Sequence, residues 1–118
     1  MIARALSITF MLSLATPALA QSLKPVTLEC TTDGRTLSVN QNNPNPAEAN
    51  CEYSCSYTAK DSKQHQTSTV QAIVRPGTRT SAMGRVDGEP PYSSVSIKGS
   101  CTSWKCQATG GKLQCNDH

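Results

Sequence analysis

Aromatic side chains are scarce. One Phe, one Trp and three Tyr serve 118 residues, too few for a large aromatic core. Histidine is as rare: His65 lies in a polar stretch and His118 stands beside Asp117. Two solvated histidines of this kind build neither a nucleophilic triad nor a metal centre. The chain has no Gly-x-Ser-x-Gly elbow and no Cys-x-x-Cys pair. Elbow-type hydrolysis, thioredoxin-like exchange and zinc knuckles are therefore not expected. Glu29, Glu48, Glu52, Asp61, Asp87 and Glu89 are scattered through different segments, where carboxylate-pair chemistry needs two acids in one cleft. These gaps point away from an enzyme, and no cofactor or metal is expected.

Charge is also weak. The formal net charge is +3, without the clustered basic excess of a nucleic-acid binder. Only one hydrophobic run is present. Arg4 precedes the apolar stretch Ala5–Leu14, and small residues follow at Ala18 and Ala20. This is the pattern of a cleavable export signal over residues 1–20. Its apolar run is about half the ~20 residues that span a bilayer. No second such run follows, so no membrane insertion is expected once the signal is removed. The remaining 21–118 segment is expected to be one small domain, periplasmic or secreted.

What that segment does contain is cysteine. Cys30, Cys51, Cys55, Cys101, Cys106 and Cys115 make an even six, all downstream of the signal. An even set in a short exported chain reads as a disulfide framework. Three bonds at ~2–4 kcal/mol each match the net stability of a small domain. A two-residue turn at Gly110-Gly111 would place Cys106 opposite Cys115 at a close, non-hydrogen-bonded site, which predicts that bond. Cys51 and Cys55 lie four residues apart in an alternating run, roughly 13 Å along a strand, and cannot pair with each other. Two pairings remain. Cys30–Cys55 with Cys51–Cys101 is preferred, because Cys55 falls nearer the level of Cys30; the alternative is Cys30–Cys51 with Cys55–Cys101.

No segment keeps a helical apolar period, and turn residues recur at short intervals. Val26, Leu28 and Cys30 alternate with polar residues, then Asp33-Gly34, then Leu37 and Val39. That predicts a hairpin with a type I′ turn. Residues 40–50 hold two prolines and five asparagines and are expected to be an exposed loop. The run Cys51–Tyr57 puts Cys51, Tyr53, Cys55 and Tyr57 on one face and Glu52, Ser54 and Ser56 on the other. Lys60–Gln66 reads as a polar turn, Thr67–Val74 as a strand, and Ser81–Val86 as a weaker one. Asp87–Pro91 is a rigid loop, and Val95, Ile97, Gly99 and Cys101 share a strand face. The expected fold is all-β: a small antiparallel sandwich or open barrel of seven or eight strands, with an immunoglobulin-like outline and three disulfides.

Candidate binding residues follow from chemistry. Arg75, Arg79 and Arg85 fall within eleven residues around a turn, a pattern that suits an anionic contact or an arginine anchor. Tyr92 and Trp104 are the aromatics least committed to a core face, and Trp104 sits between two half-cystines. The reading is an exported, non-catalytic recognition or accessory module with a protein or glycan ligand. It would present the 41–50 and 76–91 loops on a stiff scaffold. The alternatives are an inhibitor of a secreted hydrolase or toxin, and a structural envelope or adhesive subunit.

Overall fold

The computed structural model describes residues 23–117; the expected signal at 1–20 and His118 lie outside the described residues. Period-two alternation builds the strands: β1 (Val26–Thr32), β2 (Leu37–Asn43), β3 (Ala49–Thr58), β4 (Gln64–Gln66), β5 (Val70–Val74), β6 (Gly77–Ala82), β7 (Ser93–Cys101), β8 (Trp104–Thr109) and β9 (Lys112–Asp117). They form two antiparallel sheets. The larger runs β6-β2-β1-β9-β8; in the smaller, β3 pairs with β7 along one edge and with β5 and β4 along the other.

The two sheets bury a thin core. Val26, Leu28, Val39, Val74, Ile97 and Leu113 meet Tyr53 and five of the six cysteines there. Leu37, Tyr57, Ala59 and Tyr92 form a second cluster. Leu23 and Ile73 remain exposed. So little aliphatic surface leaves the cross-links a large share of the stability.

Those cross-links take the preferred pairing. Cys30–Cys55 joins β1 to β3 and so ties the sheets together; Cys51–Cys101 and Cys106–Cys115 cross between neighbouring strands. The register of β8 on β9 is the one expected from the Gly110-Gly111 turn, with Cys106 opposite Cys115. That turn also carries the sheets past each other. The Gly111 carbonyl accepts from the Cys30 N–H, and the Gly110 carbonyl from the Ile97 N–H of β7. A Cβ on Gly111 would stand 2.6 Å from the Cys30 carbonyl oxygen, so the close crossing requires glycine.

Several local expectations are corrected. The β1–β2 connection is a four-residue loop, 33–36, not a type I′ turn. Asp33 Oδ1 accepts from the Arg35 and Thr36 N–H groups and from the Thr36 hydroxyl. An aspartate can substitute its own side chain for the backbone turn in this way, and these N–H groups hold its carboxyl below the ordinary value. Residues 40–43 belong to β2, and Asn43 and Asn45 are buried. Asn43 Nδ2 donates to the Ala47 and Val74 carbonyls, while Asn45 exchanges hydrogen bonds with the Lys24 backbone. The asparagines close the loop inward. Gln64–Gln66 is a strand, and the weak strand lies at 77–82, ahead of its expected place.

Candidate functional site

The expected binding residues do not converge. Arg75 lies between β5 and β6, with its Nε 3.7 Å from Glu48 Oε2, both side chains exposed; solvent leaves such a pair little energy. Arg79 stands on β6 opposite Gln41. Arg85 follows β6, exposed. Only Arg79 is in a strand; Arg75 and Arg85 lie in the segments that precede and follow β6. Tyr92 is no surface contact: it is 8 % exposed, packs edge-on against Tyr57, and donates to the Gly88 carbonyl. Trp104 is half-buried against the main core and pairs with Asp117 in the ladder. A binding surface built from these five residues is not present as a unit.

The 83–92 segment is held down, not presented. The Tyr57 hydroxyl donates to the Asp87 carbonyl and accepts from the Asp87 N–H, at 2.9 and 2.8 Å. Lys60 N–H bonds the Glu89 carbonyl, and Tyr92 N–H the Gly34 carbonyl. Burial pushes the Tyr57 hydroxyl above its ordinary value. His65 is not a free loop histidine either. It lies in β4, stacks on Tyr57 and meets Asp61 Oδ2 at 3.3 Å. The Lys63 N–H, and then His65, lower the Asp61 carboxyl.

A different surface does form a unit. On the outer face of the smaller sheet, alternation turns Asn50, Glu52 and Ser54 outward from β3 while Cys51, Tyr53 and Cys55 point inward. Ile73 and Gln71 of β5 stand opposite Asn50 and Glu52, and Ser100 of β7 flanks Glu52 from the other side. Together they enclose a depression of about 560 Å³. A second, of about 390 Å³, continues it past Ser54, Thr69 and Lys98. Glu52 and Ser100 line both.

At Gly99, which lines the second depression, β7 lies hard against β3. A Cβ on Gly99 would collide with the Glu52 carbonyl and the Tyr53 Cβ. Ser54 is buried although it faces outward, because Gln66 Nε2 donates to its hydroxyl. Between β4 and β5, Thr67 replaces a strand partner: its hydroxyl accepts from the Cys55 N–H, and its own N–H bonds the Cys55 carbonyl. The first depression of this trough is mainly polar, with Ile73, 51 % exposed, on its wall, and the second is lined mainly by apolar surface. Among the described residues Glu52 takes part in no ion pair. Sequence reasoning placed Glu52 outward but did not single it out. The available signal was one acid among serines on the outer face of a strictly alternating strand.

The edge strand β6 is the other uncommitted feature. All six of its residues are exposed, and among the described residues it pairs only with β2. The Met83 N–H bonds the Leu37 carbonyl. Antiparallel alternation then turns the N–H and C=O groups of Thr78, Thr80 and Ala82 away from β2. Compared with protein-family models, with curated proteins and with solved structures, the chain matches none.

Proposed function

We propose that this is an exported, non-catalytic recognition module whose binding surface is the trough over the smaller sheet. The observation that carries the reading is Glu52, a carboxylate in no ion pair among the described residues, at the junction of two depressions, the second of which Lys98 also lines. A disulfide-held strand floor needs no ordering on binding, which lowers the cost of association. The ligand class favoured is a protein segment that brings a Lys or Arg to Glu52 and an aliphatic side chain to Ile73. Charge complementarity sets the register of such a contact. Three disulfides suit an oxidising compartment, periplasmic or extracellular.

The test is paired capture, with wild-type and Glu52→Gln protein as baits against native envelope and secreted fractions. A protein retained by the wild type, lost with Glu52→Gln and released by moderate salt supports the reading. Equal retention by both baits overturns the site. A neutral glycan held by both transfers the reading to carbohydrate.

The bare β6 edge favours a second reading, a subunit that assembles by strand addition. That reading expects sedimentation to show concentration-dependent association, abolished by Thr80→Pro. This change removes an outward N–H while sparing the hydrogen bonds to β2.

A further inference from the structure

Two of the three disulfides touch. Cys115 Sγ lies 3.5 Å from Cys101 Sγ in a buried contact, so the Cys51–Cys101 and Cys106–Cys115 bonds are neighbours across the two sheets. The sulfurs of Cys101, Cys106 and Cys115 all fall within 4.8 Å of one another. Cys30 and Cys55 are not part of this cluster. Access is graded across it. Cys115 is sealed, Cys101 and Cys51 are buried, and Cys106, on the edge strand β8, is the least buried of the four. Cys51 also lines the larger depression on the outer face of the smaller sheet.

Thiol–disulfide exchange proceeds by attack of a thiolate on one sulfur of a disulfide, and access decides which sulfur is attacked. We propose that Cys106 is the entry and Cys51 the exit of an internal exchange site that takes an external low-molecular-weight thiol. The incoming thiolate bonds to Cys106 Sγ; the Cys106–Cys115 bond breaks and its electron pair leaves on Cys115. The Cys115 thiolate then attacks Cys101 Sγ. A gap of 3.5 Å must shorten by about 1.5 Å to reach bonding length. The Cys101–Cys115 bond forms, the Cys51–Cys101 bond breaks, and Cys51 leaves as a thiolate that takes a proton from water. One external thiolate is consumed and one internal thiolate appears, with the number of disulfides unchanged. Modification on one sheet is thereby converted into a free thiol beside the trough of the other. The inference does not depend on what the trough binds.

The test uses the oxidised wild-type protein and reduced glutathione at pH 8, with acid quenching, alkylation and disulfide mapping by mass spectrometry. The expected product carries glutathione on Cys106, a new Cys101–Cys115 bond and the alkyl label on Cys51. Glutathione on Cys106 with the label on Cys115 overturns the relay, and first attack at Cys30 or Cys55 overturns the entry point. Two variants approach the same bond from opposite sides. Cys106→Ser is expected to shift the label from Cys115 to Cys51, and Cys51→Ser to shift it from Cys101 to Cys106. Cys30→Ser is the control: its orphan Cys55 has no neighbouring disulfide in the cluster and keeps the label. Labels that stay on Cys115 and Cys101 in the two variants contradict the proposal.

Discussion

The two core clusters hold the chain together by different means. Around the first, most side chains are small or aliphatic, Tyr53 is buried among them, and cysteines join the strands covalently. Around the second there is no cysteine; Tyr57 and Tyr92 fill the space and their hydroxyls bond loop backbone at Asp87 and Gly88. Both arrangements fix segments far apart in sequence. A disulfide does so chiefly by restricting the unfolded chain. A buried tyrosine does so through packing and a satisfied hydroxyl, both of which exist only in the folded state. The contrast accounts for an all-β domain so poor in aromatics: two of its three tyrosines gather where no disulfide reaches.

The contrast can be broken from either side. Reduction of all three disulfides has the largest expected effect, because about 6–12 kcal/mol is comparable to the whole stability of such a domain. Circular dichroism should show global unfolding at ambient temperature. Tyr57→Ala comes next, with an expected cost of ~3–5 kcal/mol for a large aromatic lost from a sealed site. Urea denaturation under oxidising conditions should register it while disulfide mapping stays unchanged. Tyr57→Phe sharpens the comparison. It keeps the ring but leaves both Asp87 backbone groups without their partner, costing ~1–3 kcal/mol. Hydrogen exchange should quicken at Asp87 and stay slow at Cys55.

The smallest effects are those of pH. Tyr57 is raised above its ordinary 10.0. Its contribution is therefore complete below that value and lost as pH climbs through the raised one. Alkaline titration followed by amide spectra should loosen 84–91 before the disulfide-joined strands. Asp33 is lowered from 3.8. Its contribution is present above that value and lost as pH falls through the lowered one, so acid should disturb the 33–36 loop, and likewise the turn at Asp61, whose carboxyl is also lowered.

Much of the covalent half was legible in sequence. Alternation located the inward cysteines, and the double glycine fixed the register that pairs Cys106 with Cys115. The same alternation sealed Tyr53 and Tyr57 inside. Less legible were features that depend on contacts distant in sequence. Asn43 and Asn45 read as exposed loop residues because composition does not show that Val74 and Lys24 supply their partners. Tyr92 read as a surface contact because nothing nearby reveals Tyr57 beside it. Glu52 was assigned its face but not its place in a trough, since the trough requires β5 and β7 to flank β3. The three arginines made a motif in sequence, but only Arg79 stands on the edge strand, with Arg75 and Arg85 in the segments on either side of it.

The proposed recognition surface lies over the smaller sheet, centred on Glu52. Its decisive measurement is amide chemical-shift mapping of the labelled protein bound to its captured partner. Binding at that surface would confine perturbations to Asn50, Glu52, Gln71, Ile73, Lys98 and Ser100, diminished by salt. Perturbations that instead follow Thr78, Thr80 and Ala82, or the pinned 84–91 segment, would contradict it.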